Sequence, residues 1–139
     1  MIKITIERTH DDYGFEAKDT LGHTVKFDTS PDEGGTNFGI RPMQSVLMAL
    51  GTCSGIDVVS ILKKQRQPPS HFSMHINGER EKGKIPSVWK KINIEFIFGK
   101  DTKLEKANKA CQLSIEKYCS VAETLRRAGA EIKWTAKHK

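Results

Sequence analysis

Cysteine is scarce in this chain of 139 residues: there are three, and no two of them form a Cys-x-x-Cys pair. So few half-cystines exclude a small fold stapled by a disulfide framework. The five histidines (His10, His23, His71, His75 and His138) stand in no metal-ligand spacing with the cysteines. His71 and His75 are four apart, but in a strand-like stretch where that spacing has little meaning. No metal site and no cofactor are expected. Long apolar runs are missing too, since no stretch reaches the roughly 18 consecutive apolar residues of a membrane span. The opening MIKITIERTHDDYGF alternates apolar and polar residues instead of forming the apolar block of a secretory signal. These absences lead us to expect a cytoplasmic protein without a membrane partner. There is no internal repeat and no low-complexity segment.

What the chain has is an ordinary globular balance, 37% hydrophobic and 29% charged, enough for one core and one domain spanning 1–139. The net charge of +6 comes from 23 basic and 17 acidic residues. Its positives are scattered, and Lys63, Lys64 and Arg66 fall at a helix C-terminus, where cations offset the dipole. With no recognition motif beside it, this charge does not mark a nucleic-acid binder.

Period-two alternation of Ile2, Ile4 and Ile6 predicts a half-buried strand over 2–8. Weaker strands follow near 13–18 and 22–28, split by the turn-like run 19–22. Residues 29–39, TSPDEGGTNFG, are rich in turn formers and read as an exposed, mobile loop. From Pro42 to Gln65 the spacing becomes helical, with proline in the first turn, where it is tolerated. Met43, Val46, Leu47, Leu50, Ser54, Ile61 and Leu62 share one broad face, while Met48, Ile56 and Val59 project elsewhere. A helix about 35 Å long that is apolar on several sides belongs in a core or a subunit interface. Pro68-Pro69 closes it. Alternation returns at 71–80 and 88–98, an antiparallel pair. Helical spacing resumes over 102–118 and again from about Ser120 to Arg127, Gly129 stops it, and AEIKWTA forms a last strand. The fold class is α+β.

Chemistry centres on the thiols. Cys53 lies inside the long helix between Gly51 and Gly55. Each interior glycine costs about 1 kcal/mol relative to alanine, a cost tolerated where backbone or substrate approaches closely. Cys119 precedes Ser120-Val-Ala-Glu123, the spacing of a capping box, so a helix should begin there and its dipole should favour the thiolate. Packing alone would also account for either cysteine. Cys111 sits in the apolar stripe between Ala107 and Ile115 and reads as core. Asp57 is one turn beyond Cys53 and receives no role from the sequence.

The run RPMQSVLMALGTCSGIDVVSILKK (41–64) resembles the central helix of the osmotically inducible protein C and organic hydroperoxide resistance family. There a proline opens the helix and a small-residue run leads to the first reactive cysteine. Ala110–Leu125, centred on Cys119-Ser-Val-Ala, looks like the family's second-cysteine motif, usually Cys-Pro-Val-Ser. The element order fits over essentially the whole chain. The resemblance implies an intertwined homodimer, with antiparallel sheets wrapped around a long central helix from each chain and active sites at the interface. It also implies that Cys53 attacks an organic hydroperoxide, that Cys119 resolves the sulfenic acid to a disulfide, and that a dithiol reductant restores the pair. The chain departs from the family's peroxidases in three places. Met43 and Gln44 stand where a glutamate is expected, leaving Gln44 as a supporting residue. Residues 28–40 contain no arginine, Arg41 being nearest, and Ser120 replaces the proline. Two functions follow: a thiol-dependent peroxidase using Cys53 and Cys119, or a non-catalytic small-ligand-binding or redox-sensing protein on the same fold.

Overall fold

A computed structural model describes residues 1–139 as two compact units, Met1–Val46 and Leu47–Lys139. Each is described by itself.

The N-terminal unit is an antiparallel meander of β1 (Thr5–His10), β2 (Gly14–Lys18) and β3 (Thr24–Phe27) in the order β1-β2-β3. The β2–β3 turn is tied by Asp19, whose Oδ1 accepts from the amides of Leu21 and His23 at 2.9 Å each. Gly22 there takes a φ of 89°, which a side chain would resist. The first strand starts later than its alternation predicts, and its apolar side is bare: Ile4 and Ile6 are 54% and 64% exposed. Period two marks a strand, but the strand expected to be half-buried is exposed along its whole length.

The loop after β3 differs from the mobile segment expected. Asp28, only 3% exposed, accepts from the amides of Thr29 (2.8 Å), Thr36 (2.9 Å) and Phe38 (3.1 Å). Three donated N–H groups favour the carboxylate. The amide of Thr36 leads in holding the Asp28 carboxyl below its ordinary value. Residues 31–33 make a short 3-10 turn, and Phe38 stacks on His10 with centroids 4.6 Å apart. Arg41, the guanidinium nearest to the vacant arginine position, is engaged in this loop. It donates to the carbonyl of Gly39 (2.9 Å) and to Asn37 Oδ1 (2.7 Å).

The long helix α1 (Pro42–Lys64) begins at its proline as expected. Arg66, at φ 58°, ends it, and the amide of Gln67 returns to the carbonyl of Leu62 at 2.8 Å. By length and composition α1 could cross a membrane, yet Leu50, Ser54, Val58 and Leu62 are fully buried along one stripe.

The C-terminal unit holds most of α1 and a second sheet of β4 (Phe72–Arg80), β5 (Trp89–Phe98) and β6 (Glu131–His138), in the order β4-β5-β6. β4 and β5 pair antiparallel, with Phe72 opposite Phe98, Met74 opposite Phe96 and Ile76 opposite Ile94. Ile94, Phe96 and Phe98 are fully buried, and the Phe72 and Phe98 rings stack at 4.9 Å. β6, however, runs parallel to β5, so this sheet is mixed and the expectation of antiparallel sheets is corrected. The cause is the connection. The chain leaves β5 and returns through α2 (Leu104–Leu113), one π-turn (Ser114–Tyr118) and α3 (Ser120–Arg127), a helical crossover of the kind that parallel neighbours require.

Both glycines that flank Cys53 face side chains of β4. A Cβ on Gly51 would lie 2.7 Å from Ile76 Cδ1, and one on Gly55 would lie 2.8 Å from Met74 Cε. The helix is pressed onto β4, and the close approach is made by β4 side chains.

Candidate functional site

The site is assembled in the C-terminal unit from α1 and the junction between α2 and α3. Helical spacing puts Cys53 and Asp57 on consecutive turns of one face of α1. The second sulfur arrives through the π-turn, in which the amide of Cys119 donates to the carbonyl of Ser114 at 2.8 Å. A π-turn closes on the fifth residue instead of the fourth, so it holds one residue more than α geometry allows. Arg126 braces this turn, donating from Nη1 to the carbonyl of Ile115 at 2.6 Å and from Nη2 to Glu123 at 3.0 Å. Cys53 Sγ, Cys119 Sγ and a carboxylate oxygen of Asp57 thereby come within 4.8 Å of one another.

Their environments differ. Cys53 is half-buried, Asp57 is half-buried, and Cys119 is 2% exposed. Asp57 Oδ2 lies 3.0 Å from Ser114 Oγ, a hydroxyl that also reaches the carbonyl of Ser54 at 3.1 Å. Ser114 is fully buried, so it links α1 to the π-turn away from solvent. Cys119 is itself the N-cap of α3: its sulfur accepts from the amide of Ala122 at 3.4 Å. The expected capping box does not form, because Ser120 is already helical and Glu123 turns to Arg126 and Arg127, at 3.0 Å from each.

The helix start was read correctly, but its effect on the thiol was not. Burial pushes the Cys119 thiol up to about 11, the Ala122 amide offsets only part of this, and the adjacent Cys53 sulfur raises it further. Removing water from the sulfur outweighs one long N–H···S contact. Cys111 is fully buried, and burial pushes its thiol to about 12. It belongs to the core, as its place in the stripe indicates. Gln44 stands exposed in the first turn of α1, in the N-terminal unit.

Sequence reasoning named both sulfurs but missed Asp57, Ser114 and Arg126. Only Asp57 carried a signal, its spacing of four from Cys53. Tyr118 lines two open clefts. One, of about 590 Å³, is walled by Asp57, Ile61, Lys64 and Leu113. The other, of about 360 Å³, reaches Cys119, Ser120 and Glu123. Chemically, the arrangement offers a dithiol close enough to cross-link after modest rotation, with a carboxylate beside it.

Comparison with known proteins places this geometry. Residues 33–135 match the family model described as OsmC-like protein. The chain belongs to the OsmC-like family. Within that family, it is 39% identical over 115 residues to the protein YhfA of Escherichia coli (strain K12), the match covering 82% of each chain. A solved structure of a hypothetical protein from Aquifex aeolicus VF5 superimposes with a TM-score of 0.82 at 27% identity, covering 100% of this chain and 98% of that one. The organic hydroperoxide resistance protein OhrB of Bacillus subtilis shares the fold, with a TM-score of 0.64 at 17% identity and coverage of 100% and 98%. The OsmC-like chain thus has an α+β fold shared with an organic hydroperoxide resistance protein. Its own Cys53 and Cys119 lie side by side.

Proposed function

We propose that this protein reduces organic hydroperoxides through Cys53 and Cys119. The observation that carries the reading is the meeting of two sulfurs and one carboxylate within 4.8 Å. Cys53, the more accessible sulfur, attacks the peroxide as thiolate. The O–O bond breaks, the departing oxygen takes back the proton that Cys53 gave up and leaves as the alcohol, and Cys53 becomes a sulfenic acid. Cys119 then condenses with it, water departs and a disulfide forms. An external dithiol returns both electrons and both protons. Cys119 suits the resolving role because its buried thiol stays protonated at neutral pH until a sulfenic acid stands beside it. Asp57 takes up and returns the proton of that step, and Ser114 holds it in place. Gln44 enters this proposal as a supporting residue on the resemblance alone.

In this reading the chain works as one OsmC-like domain, in the cytoplasm, as an intertwined homodimer with each long helix packed against the other. Support comes from α1, where Met48 and Ile56 are 47% and 68% exposed on the side away from the buried stripe, and from the bare face of β1. The organic hydroperoxide and the dithiol are its small-molecule partners.

The test is steady-state turnover of cumene hydroperoxide, and separately of hydrogen peroxide, with excess dithiol. Turnover with the organic peroxide that disappears in Cys53→Ser supports the peroxidase. Consumption of one equivalent per chain without turnover instead supports a redox sensor or ligand-binding protein, a reading favoured by the missing arginine–glutamate pair. No consumption by the native protein refutes the peroxidase for these substrates.

A further inference from the structure

We propose that Cys53, Asp57 and Cys119 form a three-ligand site for a soft or borderline divalent cation of the zinc type, whose binding keeps the two sulfurs reduced. The binding itself does not depend on the peroxidase reading, but its regulatory consequence does.

Geometry comes first. Zinc binds sulfur at about 2.3 Å and carboxylate oxygen at about 2.1 Å, so two sulfurs of a tetrahedral site stand about 3.8 Å apart. The three ligand atoms here already lie within 4.8 Å of one another. Closing on an ion needs a contraction of about an ångström or less, within reach of small side-chain rotations. Two ligands come from successive turns of α1, and the third from the N-cap of α3. A cation would therefore staple the long helix to the π-turn junction, which Arg126 and Ser114 already brace.

The donor set decides the class of ion. Two sulfurs and one oxygen suit zinc, cobalt or cadmium, whereas magnesium and calcium require an all-oxygen shell. Ser114 Oγ orients the Asp57 carboxylate, and the Ala122 amide points at Cys119 Sγ, supports of the kind that fix ligands in place. Binding is an exchange without electron transfer: two thiol protons pass to the buffer and two metal–sulfur bonds form. The half-buried side of Cys53 leaves the fourth position to water. A sulfur whose lone pair is engaged by the ion neither attacks a peroxide nor condenses with its neighbour, so an occupied site is a protected, inactive form of the dithiol.

The reduced, metal-free protein is titrated anaerobically with cobalt(II) as the spectroscopic probe. The expected result is a thiolate-to-cobalt charge-transfer band with tetrahedral ligand-field bands, saturating at one ion per chain and displaced by zinc. Cys53→Ser and Cys119→Ser lose the charge-transfer band, Cys111→Ala keeps it, and Ser114→Ala weakens binding on the order of tenfold. Independently of any variant, one equivalent of zinc should slow alkylation of Cys53 in the native protein, read by mass spectrometry. An octahedral cobalt spectrum without charge transfer, or alkylation that zinc leaves unchanged, overturns the proposal. Such a failure alongside continued peroxide turnover removes the metal site alone. Tetrahedral binding in a protein that turns over no peroxide keeps the metal site and removes the peroxidase.

Discussion

Raising the pH should unfold this protein partly through Cys119. Its thiol titrates at about 11 in the fold, against an ordinary value of 9.0, so the folded state keeps a proton that the unfolded chain gives up. A folded-state value that is raised makes a contribution to stability that is complete below 9 and lost as the pH climbs towards 11. At about 1.36 kcal/mol per unit, the loss is about 1.4 kcal/mol at pH 10 and approaches about 2.7 kcal/mol beyond pH 11. Cys111, held at about 12 by burial, adds a similar loss by pH 10 and continues further. The assay is urea unfolding under reducing conditions at about pH 8 and pH 10, comparing the native protein with Cys119→Ala and with Cys111→Ala. Tyrosines and lysines titrate in all three proteins and cancel in the difference. Each variant should lose about 1.4 kcal/mol less than the native protein between the two pH values. Equal losses in native protein and Cys119→Ala would refute the claim that burial, not the helix dipole, governs this thiol.

Two further outcomes concern the framework around the site. Gly55→Ala should leave stability unchanged or raise it by up to about 1 kcal/mol, because the helix gains propensity while Met74 Cε, 2.8 Å from the new Cβ, ends a flexible side chain. Gly51→Ala meets Ile76, stiff at χ1 in a strand, and overpacking of about 1–3 kcal/mol should exceed the same gain. Thermal unfolding that ranks the two in the opposite order would contradict the packing account. Asp28→Asn should loosen the 29–39 loop, read as faster amide exchange at Thr36 and Phe38. Because the Asp28 carboxyl is held low, protection in the native loop should persist above the ordinary carboxylate range and disappear as the pH falls through the lowered value. Exchange that is unaltered by substitution and by acid would show that the loop is ordered by something else.

Much of the architecture was legible because hydrophobic period follows directly from backbone geometry. The alternation of Phe72, Met74 and Ile76 and that of Ile92 to Phe98 gave two strands, and Pro42 marked where α1 starts. Period says nothing of direction, however, so the parallel course of β6 beside β5 could not be read from Ile132 and Trp134. Nor does a composition of turn formers reveal that one buried aspartate gathers three amides of the 29–39 loop. At the site, Cys53 and Asp57 were one turn apart on any helix. Their meeting with Cys119 depends on an irregular backbone turn at 114–118, for which the residues Ser-Ile-Glu-Lys-Tyr carry no recognisable signal. The sign of the effect on Cys119 was misjudged for a related reason: capping is a local property, whereas desolvation depends on what packs around the sulfur.

The π-turn at Ser114–Tyr118 also makes the second thiol a matter of residue count. One position more than an α-turn holds is accommodated there, and each residue of an α-helix advances the chain by about 100°. Removing a single residue between 114 and 118 would let α2 run on as regular helix with Cys119 in nearly its present direction, whereas a residue lost from the regular turns of α2 would swing it about a quarter-turn away from Cys53. A descendant that lost one residue of α2 itself would keep both cysteines in its sequence and no longer have a pair.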